Sequence, residues 1–395
     1  MKKLLSILLS ILLVSTLVFS VTACKDTDES ESIDETVTPV TITVKKEKQD
    51  GKDINTLTEI SLSAAAKSYV DDKDYENLKT LFSNHGVKGF TIDSANAKVK
   101  FEIPSNVTHI ATNAVANLTF ITDLVVGPNV VEIEKGAFVG LSGLESITLP
   151  FVGGKIGAIK EARLFAYIFG SIGGTGLTAV TQTYSDANES TSSLYVPSLL
   201  KTVTVIGDVK VTEGTQKHYI KDGVHYSVDS DYAEPTITVD GEVYNVIAVA
   251  TKNYSESAIQ PYAFHSITTI ETVNLSANTT EIPEYAFYGC TGIKTLTFKD
   301  GFTIGKYAFA NCTSLRDLTL NAVILGEGAF SGCTALGKAT EISLGGLDVS
   351  KVTSFGKDAF AGCTSLTKEN LVAGAHTEDF LADAFDKDFF EEDED

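Results

Sequence analysis

The chain has 395 residues, of which 43% are hydrophobic, so it has enough apolar material for one large domain or two medium ones. Its 31 basic and 52 acidic residues give a net charge of −21 at pH 7, and Arg163 and Arg316 are its only arginines. Such a surface repels nucleic-acid phosphates and anionic lipids. Nucleic acid is therefore not an expected partner, and attachment to a membrane needs a separate anchor.

The N-terminus carries such an anchor. Two lysines precede an almost unbroken apolar run from Leu4 to Val21, which is typical of an export signal. The run ends in Val-Thr-Ala-Cys at 21–24, which resembles the bacterial lipobox. We predict that 1–23 is a lipoprotein signal peptide and that Cys24 is lipid-modified; the alternative is an uncleaved membrane helix. No second apolar stretch of about 18 residues occurs after it.

Two segments with different patterns lie after the predicted cleavage point. Residues 24–56 are rich in acidic, hydroxyl and Lys side chains, which predicts a disordered acidic tether. Residues 57–88 carry apolar side chains at helical spacing, including Leu62, Ala66, Tyr69, Leu78 and Phe82. We interpret this second segment as a helical cap over the open N-terminal end of a stack of repeats.

A repeat dominates the remaining sequence. The pattern I-x-x-x-A-F occurs at 133–138, 259–264, 282–287 and 304–309, with weaker copies at 110–115, 325–330, 355–360 and 384–385. From Phe264 onward the aromatic positions are 23, 22, 21, 30 and 25 residues apart. A strand template L-x-x-[LIV]-x-[LF] comes after most copies, at 144–149, 200–205, 270–275, 293–298 and 315–320. Units this short must stack to bury their apolar residues.

The motif I-G-x-x-A-F-x-x-C-T-S-L at 304–315 resembles the BspA-like leucine-rich-repeat family. The resemblance implies a surface-exposed interaction protein, often linked to adhesion, with no associated chemistry and no cofactor. It also implies the fold. We expect a β-rich leucine-rich-repeat solenoid of short parallel strands, one per coil, with a small N-terminal helical cap.

The regular repeat is interrupted in the middle of the chain. Turn residues and Gly concentrate near 207–223, where we place a boundary between two repeat blocks that either fuse or only touch. The predicted segments are a first block at 89–207 with an irregular insertion from about 151, a strand and hairpin linker at 208–258, a second block at 259–385, and an acidic tail at 386–395.

Four of the five cysteines belong to the repeat. Cys290, Cys312, Cys333 and Cys363 each follow a repeat Phe by three residues, so stacked coils would place them in one column. A column spreads thiols over several coils, whereas zinc needs four ligands around one point. We expect buried, reduced packing residues rather than a metal site or disulfides.

No catalytic, cofactor or metal site is predicted. The six histidines form no metalloenzyme motif, and His218 and His225, which flank Asp222, are interpreted as solvated loop residues. The glycines of 170–176 lack the Lys and Ser or Thr of a phosphate loop. The acidic groups at 229–231 and 391–395 lack the elements of a calcium loop.

One row of residues is a candidate ligand surface. The middle residue of the last triplet in each strand template points outward, because side chains alternate along a strand. These residues are short and neutral: Thr148, Thr204, Asn274, Thr297, Thr319 and Ser343. The β-propensity of Thr is an alternative explanation. Stacked, they would form a hydroxyl-lined stripe that hydrogen-bonds a glycan or an extended peptide.

The functional expectation is a lipid-anchored protein on the outer face of a bacterial membrane that binds an extracellular protein or glycan. It is not expected to be an enzyme. Two alternatives stay open: a structural surface-coat protein, and a hydrolase housed in residues 151–258.

The lipobox resemblance generates a direct test. Replacing Cys24 by Ala removes the thiol that carries the acyl chains, so the variant should lose its acyl label and leave the detergent phase in phase partitioning. A variant that keeps both properties would show that Cys24 is not the anchor.

Overall fold

A computed structural model describes residues 15–18, 38–49, 51–185, 190–208, 212–221, 224–228, 234–239, 241–253, 257–339 and 345–390. The N-terminal half of the described chain contains β1 Ser15–Val18, β2 Val40–Gln49, β3 Lys52–Leu62, α1 Ala64–Asp71, α2 Tyr75–Asn84, β4 Phe90–Asp93, β5 Lys98–Glu102, β6 His109–Ile110, β7 Asp123–Val125, β8 Glu132–Ile133, β9 Ser146–Leu149, β10 Leu177–Ser185, β11 Ser190–Pro197 and β12 Thr202–Val205. The C-terminal half contains β13 Thr212–Lys221, β14 Val224–Val228, β15 Thr236–Val239, β16 Glu242–Asn245, β17 Ile247–Asn253, β18 Thr272–Leu275, β19 Glu281–Ile282, β20 Thr295–Thr297, β21 Thr303–Ile304, β22 Asp317–Thr319, β23 Ile324–Leu325, β24 Leu347–Asp348, β25 Leu371–Val372 and α3 Glu378–Leu381.

Six strands form one sheet, the front sheet, in the order β18-β12-β9-β7-β5-β4. All neighbours pair in parallel except β4 and β5 at the end. The template residues Ile147 and Val203 align with each other and are buried. Because side chains alternate along a strand, the residues on either side of them face outward.

A second set of strands forms at the Ile position of the repeat. β6 and β8 pair in parallel, and so do β19, β21 and β23. The last residue of each of these two-residue strands is buried: Ile110, Ile133, Ile282, Ile304 and Leu325. We call the chain from one front strand to the next a coil. A regular coil therefore turns between a front strand and one of these short strands.

The repeat phenylalanines stack along the interior in what we call the Phe column. The ring centroids are 4.8 Å apart for Phe264 and Phe287, 5.0 Å for Phe287 and Phe309, 5.5 Å for Phe309 and Phe330, and 5.7 Å for Phe330 and Phe360. The backbone follows the same ladder, since the N–H of Phe287 donates to the carbonyl of Ala308 at 2.8 Å. Ala308 is fully buried, and its small side chain allows the coils to approach closely.

Each regular coil turns at residues with positive φ on both sides of the column Phe. Around Phe309 these are Tyr307 and Asn311, with φ of 49° and 60°. In the next coil Gly328 takes the place of Tyr307. A Cβ on Gly328 would lie 2.0 Å from Cε1 of the Tyr307 ring, so only glycine fits beneath that ring.

The predicted tether at 24–56 is wrong over its last part. β2 and β3 form an antiparallel hairpin, and β3 pairs in parallel with β6 of the second strand set. Val44 and Leu57 are buried in this hairpin, while the side chains from Lys45 to Gln49 are exposed. The exposed lysines hide the alternating apolar positions when the segment is judged by composition. Residues 24–37 lie outside the described residues.

One short strand falls inside the predicted signal peptide. β1 pairs antiparallel with residues 43–46 of β2. If residues 1–23 are removed as predicted, β1 is lost and β2 becomes the edge of its sheet. Within the described part of the chain, no helix has the length and apolarity to cross a membrane.

Two helices occupy part of the segment predicted as a cap. The Ser63 hydroxyl accepts from the N–H of Ala66 at the start of α1, and the Asp74 carboxylate accepts from Asn77 at the start of α2. The Phe82 ring lies edge to face against Phe90 of β4, with centroids 5.3 Å apart. The helices thus pack at the end of the front sheet, and their role as a cap stays a prediction.

The predicted break between two repeat blocks does not interrupt the front sheet. β12 pairs with β9 on one side and β18 on the other, so both blocks share one sheet. The irregular segment after residue 151 supplies one more coil. The Phe165 ring packs against the Phe264 ring at a tilt of 34°, with centroids 4.9 Å apart, and the N–H of Phe165 donates to the carbonyl of Ala263.

A buried glutamine joins this coil to the next one. Gln182 of β10 has no exposed surface, and its Oε1 accepts from the N–H of Ala166 at 3.0 Å. Its Nε2 donates to the carbonyls of Ala263 at 3.2 Å and His265 at 3.0 Å. The hairpin of β10 and β11 is therefore tied into the body by a satisfied polar side chain.

The predicted acidic tail at 386–395 is packed at its start. Phe389 stacks on Phe385 at 4.4 Å, at the end of the Phe column. The Asp386 carboxylate accepts from the N–H of Gly362 at 2.9 Å. In the preceding coil the equivalent N–H, that of Gly332, donates to a backbone carbonyl of the next coil. Residues 391–395 lie outside the described residues.

The Phe column predicts a large loss on truncation. Phe309 is 2% exposed, so Phe309→Ala should lower the free energy of unfolding by about 3–5 kcal/mol, through lost transfer energy and an unfilled cavity. Phe380, which is 50% exposed, is the matched control, and Phe380→Ala should cost under about 1 kcal/mol. Denaturant unfolding measures the free energy of unfolding of both variants. Equal losses of stability would contradict the burial of Phe309 in the Phe column.

Candidate functional site

The predicted outward row lies on the front sheet and on the separate two-stranded sheet of β20 and β22. Thr148, Thr204 and Asn274 are in register on β9, β12 and β18, and the Asn274 amide donates to the Thr204 hydroxyl at 3.2 Å. Thr297 and Thr319 are in register on β20 and β22 and are exposed. Ser343 lies outside the described residues. The structure thus brings five of the six predicted residues into two aligned sets.

A second polar row, which the sequence reasoning missed, runs beside the first. Ser146, Thr202 and Thr272 are in register two residues earlier on β9, β12 and β18, and Thr295 holds the same position on β20. The same alternation in the strand template could have indicated it, since residues two apart share one face. The two rows together form what we call the hydroxyl face.

The hydroxyl face is bordered by charges that neutralise one another. Immediately before the strands, Lys201 and Lys294 both contact Glu271, at 3.2 Å and 2.8 Å, and Lys98 pairs with Glu145. Hydrogen bonds from Lys294 and then Lys201 lower the pKa of Glu271. The charged residues at this border are therefore paired with one another and do not form an excess of acidic groups.

Carboxylates mark the two ends of the second row. On β7, the Asp123 carboxylate accepts from the hydroxyls of Ser146 at 2.5 Å and Thr122 at 2.7 Å. On β22, Asp317 is in register with Thr295. Between these ends the outward residues are hydroxyl or amide side chains, so the central face offers hydrogen bonds without requiring a counter-charge on the ligand.

The four repeat cysteines form the predicted column, and all four are buried and free. The structure adds a contact that the sequence could not show, because each thiol donates to the carbonyl of the column Phe one coil earlier. The Sγ to O distances are 3.1 Å for Cys290 and Phe264, 3.3 Å for Cys312 and Phe287, 3.2 Å for Cys333 and Phe309, and 3.3 Å for Cys363 and Phe330. Burial raises the pKa of the Cys363 thiol to about 12.

The other groups weighed in the sequence come together nowhere in the described residues. His218 lies on β13 opposite Ser227, and His225 lies on β14 opposite Ile220, so the two histidines are not paired across the hairpin. Both predicted acidic groups, at 229–231 and 391–395, fall outside the described residues. Among the residues with described positions, no cluster of His, Cys, Asp or Glu could hold a metal ion.

The coil geometry agrees with a family comparison. The profile of the BspA type leucine rich repeat region matches residues 82–162 and 257–388 in six copies, together more than half of the chain. The chain belongs to the BspA-type leucine-rich-repeat family. The two matched ranges flank the irregular middle, where the front sheet continues although the repeat motif does not.

Three solved structures of bacterial leucine-rich repeat proteins are similar to this chain. A leucine-rich repeat protein from Bacteroides ovatus is 19% identical over 69% of this chain and 54% of its own, with a TM-score of 0.29. One from Eubacterium ventriosum is 18% identical over 68% and 64%, with a TM-score of 0.21. A leucine rich cell surface protein from Faecalibacterium prausnitzii is 14% identical over 72% and 62%, with a TM-score of 0.23. The chain thus spans less than two thirds of each, and a comparison with curated proteins found no match.

Because the four thiols are buried, we predict that they react slowly with thiol reagents in the native state. In the ectodomain, residues 25–395, an aromatic disulfide reagent at pH 8 should titrate almost no thiol until denaturant is added, and then four. Fewer than four thiols in denaturant without reductant would indicate disulfides. If all four thiols react rapidly in buffer, the cysteine column is exposed rather than buried.

The same thiols predict a pH dependence of stability. Their pKa values are raised in the folded state, so the unfolded chain loses these protons first. The stabilisation is fully present below the unfolded value of about 8.5 and is lost as the pH rises toward the folded value. That folded pKa is about 12 for Cys363. Denaturant midpoints at pH 8 and pH 10 measure the effect, and Cys363→Ala should reduce it.

Proposed function

We propose that this protein is a lipid-anchored cell-surface protein that binds an extracellular protein or glycan through its hydroxyl face. The anchor is Cys24, after removal of residues 1–23. Family membership supports a surface interaction role, and one similar structure is described as a cell surface protein. The β2–β3 hairpin packs against the body, so the free tether is shorter than the sequence predicts.

The hydroxyl face is the observation that carries the binding proposal. It is built on β9, β12 and β18 of the front sheet and on the paired strands β20 and β22. Strand pairing within each sheet holds the backbone beneath side chains with few rotamers. A ligand that bonds to it therefore loses little free energy in ordering the protein. The bordering lysines and glutamates are already paired, so a neutral, hydrogen-bonding ligand fits the face better than a charged one.

Two other functions find less support. A hydrolase in residues 151–258 would need a reactive cluster, whereas the described parts of this range form a coil, hairpins and one front strand. A surface coat would need contacts between copies, and sedimentation of the ectodomain at high concentration distinguishes it from a monomeric binder. We assign no reaction to the protein.

Charge placed on the hydroxyl face tests the binding proposal. Thr297 and Thr319 are exposed, so changing both to Lys should shift stability by under about 0.5 kcal/mol each while weakening capture of ligand at least tenfold. The matched control changes Thr313 and Thr334 to Lys, because these exposed threonines hold equivalent coil positions away from the front strands.

Binding is measured with the ectodomain against immobilised neutral polysaccharides and extracellular matrix proteins. The proposal predicts that one panel member is captured by the parent and by the control but not by the variant with Lys at 297 and 319. Equal capture by all three would show that the ligand does not bind the hydroxyl face at β20 and β22.

A further inference from the structure

The chain between β12 and β18 leaves the repeat and returns to it at one point. We call the chain between these strands that leaves the repeat the excursion. The N–H of Ala258 donates to the carbonyl of Asp208 at 2.9 Å and so joins the two ends of the excursion. Both ends are also hydrogen-bonded to the repeat. The Ser276 hydroxyl donates to the Asp208 carboxylate at 2.5 Å, and the N–H of Val152 donates to the carbonyl of Ala258 at 2.7 Å.

Regular coils set the length of chain that this part of the repeat needs. We count from the last residue of the strand template to the column Phe of the same coil. The separation is 12 residues from Leu275 to Phe287, 11 from Phe298 to Phe309, and 10 from Leu320 to Phe330.

The interrupted coil reaches this length without the excursion. Val205 and Phe264 are 59 residues apart, and residues 209–256 account for 48 of them, which leaves 11. Ser257 is buried, and its carbonyl accepts from Nε2 of Gln260 at 2.9 Å, so it belongs to the coil. Ile259 lies five residues before Phe264 and is fully buried, as the Ile of a regular coil is. The coil therefore closes on its own residues, and 209–256 are additional to it.

The excursion has its own strand pairing. β13 pairs antiparallel with β14 on one side and β17 on the other, and β15 pairs with β16. The rings of Tyr219 on β13 and Tyr244 on β16 lie 5.4 Å apart and connect the two sets. In the parts of this segment that the structure describes, every strand pairs with a strand of the same segment.

We propose that residues 209–256 form a self-contained β module inserted into a complete coil, and that the repeat body does not need it to fold. The module follows β12 in the chain and precedes β18, two strands that are paired in the front sheet. The inference does not depend on the ligand or on the anchor.

The hairpin of β10 and β11 is the contrasting insertion. Gln182 ties it to two coils, and its Val180, Leu194 and Val196 are buried against the body. Removing this hairpin would leave the N–H of Ala166 and the carbonyl of His265 without their partner. The two insertions should therefore respond to deletion in opposite ways.

The first experiment deletes 209–256 from the ectodomain and joins Asp208 to Ser257 through two glycines. Shortening the loop lowers the entropy cost of closing it, so the thermal midpoint should stay within about 5 °C of the parent. The four repeat thiols should stay unreactive in buffer. Deleting 177–197 with the same linker is the control, and it should expose the thiols. Exposed thiols in the first deletion would count against the proposal.

A second experiment avoids dependence on the linker. Protease recognition sequences are placed after Asp208 and before Ser257 in the ectodomain, and the folded protein is cut at both. The body fragments should stay together through the β12 and β18 pairing, while the module elutes separately in size-exclusion chromatography. A module that stays with the body, or body fragments that separate, would overturn the proposal.

Discussion

No single repeat of this chain can bury its own apolar side chains, and the structure depends on each coil covering the next. The stacked rings of the Phe column, the buried Ala before each ring, and the Phe N–H to Ala carbonyl bonds repeat at the same positions in successive coils. The Cys thiol adds one more bond to the neighbouring Phe carbonyl. A coil is thus held by its neighbours rather than by a central core.

This dependence leaves two regions free to vary. Chain can be inserted wherever the ends of a coil still meet, as at the Asp208 and Ala258 bond. Outward residues of the front strands can change without affecting the column, because the inward template residues alone pack against it. The hydroxyl face and the inserted module occupy these two regions.

The period of the repeat made most of the fold predictable. It located the Phe and Cys columns and the outward threonines, because stacking places equivalent residues in register. The period of the repeat could not reveal features that depend on single residues. Gln182 follows no period, yet it joins the irregular coil to the regular ones. Residues 40–56 of the β2–β3 hairpin were predicted as tether because the exposed charged and polar run after the buried Val44 dominates their composition. The second row of hydroxyls was available from the strand template and was missed.

Residue-resolved amide hydrogen exchange of the ectodomain tests the shared stack most directly. The N–H of Phe165 donates to Ala263 across the point where the predicted blocks meet, and that of Phe309 donates to Ala329 inside the regular coils. If one stack runs through both, the two amides should exchange at slow rates within about tenfold of each other. Exchange at Phe165 more than about a hundredfold faster than at Phe309 would show that the two blocks open independently, and would contradict the account.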